Sequence, residues 1–166
     1  MTHLGTNPWT IESTMENNFD WFVGTWTSRQ RRLRTVLAGS DDWYEFPGEH
    51  RSWNVLDGAA NFDEAMFPTQ GFGGVTLRLH DRERDEWSLY WASSTRGFDP
   101  VPVVGRFGPD GVGTFLADDT WEGRPIKVRY EWSGITPTTA RWEQAFSADG
   151  GATWESNWVA EFTRTG

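Results

Sequence analysis

Of the side chains that ordinarily titrate near neutrality, this chain has only three: His3, His50 and His80. His50 sits between Glu49 and Arg51 in the middle of an extended stretch, which makes it a candidate general base or ligand contact. His80 shares parity with Thr76 and Arg78, opposite Val75, Leu77 and Leu79, and is expected at the surface; His3 lies near the terminus. Glu64 alternates with Phe62 and Met66 on one face, as Asp119 does with Phe115 and Trp121. A carboxyl among apolar groups has its neutral form favoured by desolvation, as acid-base catalysis requires. Glu64 with His50 is therefore the candidate catalytic pair. The competing expectation for each carboxylate is a plain ion pair with an inward arginine such as Arg32.

Other chemistries lack their residues. The chain has no cysteine, hence no thiolate nucleophile, thiolate metal site or disulfide. Three scattered histidines cannot build a His-rich zinc site, and Asp41-Asp42 and Asp118-Asp119 lack calcium-loop spacing. No histidine follows position 80 to act as a late axial haem ligand. No nucleophile elbow, phosphate-binding loop or H-E-x-x-H is present. Neither a metal nor a cofactor is expected.

What the chain has in abundance is aromatic rings: 12 Trp, 11 Phe and 3 Tyr. That is more bulk than a small barrel needs for packing. Trp53, Trp91, Tyr130, Trp142 and Trp158 are expected to face a cavity, with Gln144 adding an amide. If Trp26 points inward, so do Ser28, Gln30 and Arg32, and Gln30 and Arg32 become polar anchors within that cavity. Aromatic walls with a few polar anchors suit a flat or hydrophobic small molecule.

The elements that must position these residues are strands. Period-two stretches run over 24–34, 42–56, 61–67, 74–80, 87–92, 103–107, 112–117, 126–132, 141–147 and 156–164. Between them lie turn signals such as Gly108-Pro109-Asp110-Gly111 and the charged run 81–86. Pro47-Gly48 predicts a kink or bulge. Ile11, Met15, Phe19 and Phe22 suggest a short helical turn before the first strand. Hairpin connections throughout predict an all-β, up-and-down antiparallel barrel of about eight to ten strands, closed at one end by that turn. The strand-poor segments 35–41 and 93–102 are expected to gather at one mouth. One domain spans 1–166, with residues 1–18 as a partly flexible lead-in.

Gly24-Thr25-Trp26 opens the first strand, and Arg164 ends the last. This G-x-W resembles the lipocalin signature, in which the Trp closes the barrel floor and stacks beneath a late basic side chain. FDWFVGTW (19–26), GVTLRLHD (74–81), WSLYW (87–91), VVGRF (103–107) and RWEQAFSADGGATWESNW (141–158) resemble a bacterial lipocalin-like family of unassigned function. That resemblance implies a calycin-type β-barrel and supplies no catalytic residues. Ser147, Asp149, Gly151, Thr153 and Trp154 match the S-x-D-x-G-x-T-W pattern of the Asp box; a single copy without an internal repeat is expected to be a structural turn.

Fifteen Lys and Arg against 24 Asp and Glu leave a net charge of −9, which disfavours nucleic acid. No apolar run approaches the roughly 20 residues of a membrane span, and no basic-then-apolar leader is seen, so the cytoplasm is the expected compartment. The expected state is a monomer or homodimer. Three functions follow: a barrel that binds a small hydrophobic or aromatic molecule as carrier or sensor; a cofactor-independent isomerase, cyclase or hydratase using Glu64, His50, Arg32 and Gln30; or a carbohydrate-binding surface. The last needs exposed rings, and strand parity directs most tryptophans inward.

Overall fold

Residues 16–166 are described by a computed structural model. Ile11, Met15 and His3 lie outside them. The anticipated helical turn ends as a 3₁₀ turn at Asp20–Phe22. Eleven strands follow: β1 (Gly24–Leu33), β2 (Trp43–Val55), β3 (Ala60–Phe67), β4 (Phe72–Asp81), β5 (Glu86–Ser93), β6 (Gly97–Phe98), β7 (Val103–Phe107), β8 (Gly113–Trp121), β9 (Arg124–Ser133), β10 (Thr139–Ser147) and β11 (Glu155–Arg164). Every pairing is antiparallel. Leaving β6 aside, each strand pairs with two neighbours, with β1 joined to β11 and β4 to β5, so ten strands close a ring and β6 forms a spur on β5. This is a calycin-type, lipocalin-like barrel, and closure removes the unpaired edges of an open sheet.

Turn chemistry sets the hairpins. Asp81 Oδ1 accepts the amides of Glu83 and Arg84 at 3.0 and 3.1 Å, which folds the charged run between β4 and β5. Between β10 and β11, Asp149 Oδ1 accepts the Thr153 amide at 2.8 Å, and Ser147 Oγ accepts the Gly151 amide at 2.8 Å. The Thr153 hydroxyl, the Thr153 amide and the Ser147 hydroxyl all donate to Asp149 and hold its carboxyl down at about 2. The Asp box is thus a turn-building device, with Trp154 packed under the Arg129 guanidinium at 4.4 Å.

Buried rings close the end where β1 begins and β11 finishes. Phe19, Phe22, Trp26, Trp87, Phe107, Phe115, Trp132 and Phe162 form one cluster there. Trp26 Nε1 donates to the Phe22 carbonyl at 2.9 Å, which ties the 3₁₀ turn to β1. The Arg164 guanidinium lies 4.3 Å from the centre of the Trp26 ring. It donates to the carbonyls of Val23 at 2.6 Å, Pro137 at 2.8 Å and Trp21. Gly24 occupies φ 125°, and a Cβ there would collide with Arg164 and with the Gly166 carbonyl; only glycine fits this crossing. The G-x-W and terminal Arg therefore act together as the floor.

The walls differ from the expectation in two places. No bulge occurs at Pro47-Gly48: β2 runs in unbroken register against β1, and the irregularity falls instead at Gln144/Ala145. On β3 and β4 the facing is reversed. Asn61, Asp63, Ala65 and Phe67 of β3, with Thr76 and Arg78 of β4, point inward, while Phe62, Met66, Val75, Leu77 and Leu79 lie outside. His80 shares the inner parity and packs against Trp87 at 4.9 Å, so it is half-buried at the floor rather than on the open surface. This wall is inside-out: polar within, apolar without.

Candidate binding site

Above the floor the barrel holds an internal cavity of about 100 Å³. Trp91, Tyr130, Gln144 and Trp158 wall both this cavity and a wider mouth of about 620 Å³. The mouth is rimmed by the loop around β6 and by the far ends of β8, β9 and β10. The 35–41 loop joins the strand ends on the same side. Its Val36 and Leu37 pack on the core, and the Leu37 amide donates to Glu155 Oε1 at 2.6 Å.

Gln30, His50, Trp91, Tyr130, Trp142, Gln144 and Trp158 line the inner cavity, and Arg32 lines the mouth. They converge because β1, β2, β5, β9, β10 and β11 present them at matching parity. Trp142 and Trp158 meet edge-on at 5.6 Å, and Tyr130 meets Trp142 in the same way at 5.1 Å. Such T-shaped contacts fix each ring while leaving a face toward the space.

Two of the candidates fall outside the barrel. Glu64 is on the outer face of β3, where it pairs with Arg51 at 3.5 Å, and its side chain is 40% exposed. Trp53 is also outside, stacked on Phe62 at 5.1 Å. Both displacements have the same origin. Without a bulge at Pro47, Phe46, Gly48, His50 and Ser52 face inward and Trp53 cannot; on β3 the polar residues took the interior.

A chain of hydrogen bonds runs down one wall. Trp158 Nε1 donates to Gln30 Oε1 at 2.7 Å, Gln30 Nε2 donates to Ser28 Oγ at 2.7 Å, and Ser28 Oγ lies 2.6 Å from His50 Nε2. Gly48 makes room for it, since a Cβ there would strike both Ser28 Oγ and His50 Nε2. Burial, aided by the positive charge of Arg78, pushes His50 down to about 3. The imidazole is therefore neutral at physiological pH, and it shares a hydrogen bond with the Ser28 hydroxyl.

Opposite stands a polar cluster that the period-two reading missed. Arg78 and Asp63 form a buried ion pair, and Arg78 Nη1 donates to Asn61 Oδ1 at 2.8 Å. Burial pushes the Asp63 carboxyl up while Arg78 pulls it down. The guanidinium lies over Phe19 at 4.8 Å, on top of the floor. Arg78 Nε and Trp132 Nε1 have no hydrogen-bond partner among the described residues, and both residues line the cavity. The signal was present in the sequence: Asn61 and Asp63 share one parity on β3, as Thr76, Arg78 and His80 do on β4, two matched polar rows on strands joined by a short turn.

No protein-family model and no curated protein matches this chain. Among solved structures it is similar to the S-type phycobiliprotein lyase CPES from Guillardia theta, with a TM-score of 0.54 and 14% identity over 89% of this chain and 90% of that one. The two share a fold. At that identity the likeness is one of architecture, and the site must be read from its own residues.

Read so, the site offers shape and donors more than proton transfer. A general base works best with a pKa near the operating pH. His50 at about 3 is far below it, and Glu64 faces solvent. Burial holds the Tyr130 hydroxyl protonated. Among the described residues no group of three or more His, Asp or Glu is placed to hold a metal ion.

Proposed function

We propose that the barrel binds a small hydrophobic or aromatic molecule, as a carrier or sensor of that molecule. One observation carries this reading: a cavity walled by Trp91, Tyr130, Trp142 and Trp158 opens into a mouth large enough for a multi-ring or long-chain compound. The polar groups within are already paired with one another, apart from a few donors that await an acceptor. This is the pattern of a site that orients a ligand. The alternative, a cofactor-independent isomerase, cyclase or hydratase, loses its acid-base pair because Glu64 and His50 lie on opposite sides of the wall. The likeness to a lyase of phycobiliproteins fits a barrel that accommodates small molecules. No helix among the described residues is long and apolar enough to cross a membrane. A cytoplasmic, single-domain protein, monomeric or homodimeric and without a nucleic-acid or membrane partner, completes the proposal.

Native mass spectrometry of the purified protein, followed by extraction and identification of bound molecules, tests it. A co-purifying apolar molecule that is unchanged on incubation supports the carrier. A molecule converted on incubation would overturn the carrier in favour of the enzyme.

A further inference from the structure

We infer that the ligand is an amphipathic anion: an apolar, largely flat body within the barrel and a carboxylate head at the mouth, held between Arg32 and Arg96. This rests on the mouth and cavity being the ligand site, as proposed above.

The observation behind it is a contrast among arginines. Arg29 and Arg31 point outward from β1 and reach Glu45 at 2.9 and 3.6 Å, and Arg34 reaches Asp42 at 3.5 Å. Arg32, on the same stretch but turned into the mouth, forms no ion pair among the described residues, and neither does Arg96 across from it. A chain with 24 acidic residues has left its half-buried mouth arginine without one. A desolvated charge without a counter-charge is costly, and the nearby charge of Arg96 adds to that cost.

Other mouth groups do not fill the gap. Asp99 and Asp119 also line it, each taking a backbone amide, of Val101 at 2.9 Å and of Thr120 at 2.7 Å, and neither forms an ion pair with Arg32 or Arg96. Aromatic rings support both guanidinium groups from one side: Trp158 lies 4.1 Å from Arg32 and Trp121 lies 5.7 Å from Arg96. A planar guanidinium stacked on a ring keeps its N–H fork in plane, the geometry that grips a carboxylate with two parallel hydrogen bonds. Two such forks at the rim of an aromatic cavity select a molecule that is apolar along its length and anionic at its end.

The test uses two probes with one aromatic body, 1-pyrenebutyric acid and 1-pyrenebutanol, titrated at neutral pH and low salt. Energy transfer from the tryptophans reports binding. The acid is expected to bind at least about tenfold more tightly than the alcohol. That preference should collapse in Arg32→Gln and in Arg96→Gln, and narrow in Arg32→Lys, which keeps the charge but lacks the fork. Arg82→Gln, in the exposed turn between β4 and β5, should retain it. Equal affinities for the two probes, or a preference that survives Arg32→Gln, would overturn the anionic head while leaving the apolar site standing. If neither probe binds, the cavity is not a site for flat apolar molecules, and both readings fall together.

Discussion

Asp63 and Arg78 stand on adjacent strands with their charged ends in contact inside the barrel, while their neighbours in sequence, Phe62 and Leu77, cover the outside of the same wall. Such a pair need not add net stability, because desolvating two charges offsets most of their attraction. What it does is fix the wall's orientation. Turning β3 and β4 over would leave Asn61, Asp63, Thr76 and Arg78 in solvent and drive Phe62, Met66, Val75 and Leu77 into the cavity, filling it. The inverted wall is thus what keeps the inside open.

Removing one partner strands the other. Asp63→Asn leaves Arg78 buried without a counter-charge and should cost about 3–5 kcal/mol in urea unfolding. The double substitution Asp63→Leu with Arg78→Met should recover most of that loss. If Asp63→Asn alone were neutral, the pair would not be the constraint described above.

His50 makes stability depend on pH in a defined window. Its pKa is about 3 in the fold against an ordinary 6.5. Between those values the unfolded chain binds the extra proton, so stability rises with pH. The contribution is fully present above about 6.5 and lost as pH falls toward 3, with a slope near 1.4 kcal/mol per pH unit. His50→Gln, which can still hydrogen-bond Ser28, should flatten that part of the profile relative to the parent. Parallel profiles for the two would show that His50 titrates normally.

Arg164 is the clamp of the floor. Arg164→Ala removes donors from the carbonyls of Trp21, Val23 and Pro137, and the stacking on Trp26. A loss of about 2 kcal/mol is expected from thermal unfolding, the site being partly open to solvent. Arg164→Lys should restore little of it, because an ammonium cannot serve three acceptors in a plane. Full rescue by Lys would reduce the clamp to a simple charge effect.

Trp158 and Trp53 separate inside from outside. Trp158→Phe leaves Gln30 Oε1 without its donor, at a cost of about 1–3 kcal/mol. It should also remove much of the fluorescence change caused by an apolar ligand. Trp53→Phe should leave that change intact, since Trp53 is 38% exposed on the outer surface. A ligand signal carried by Trp53 would place binding on the outer face instead.

All ten strands of the ring were legible in the sequence because turns announce themselves locally through Gly, Pro, Asp and Asn. The floor was legible too, through Trp26 and Arg164. Alternation, however, reports which residues share a face and not which face is inside. On β9 and β11 the apolar set is the inner one, and on β1 Trp26 sets the parity, so Gln30, Tyr130 and Trp158 face the cavity. On β3 and β4 a satisfied polar network occupies the interior, so the rule that apolar means buried selected Glu64 over Asp63 and passed over Arg78. Trp53 was misplaced for a different reason. Pro47 suggested a break in β2, but the strand continues in register past it, which fixes the parity of everything downstream. Arg96 lies in a segment read as a loop, where alternation says nothing about direction, and the two-residue β6 beside it was too short to leave a pattern.

A barrel stoppered by Trp26, Arg164 and the 3₁₀ turn is a cul-de-sac. A ligand bound as proposed would have to arrive and depart through the rim, so an incoming molecule would have no back door through which to expel the resident one. Exchange is then limited by spontaneous departure, and its rate should be indifferent to how much competitor is waiting outside. Residence time would then be set by the contacts inside together with the rim loops, and the loops can change without disturbing the vessel below.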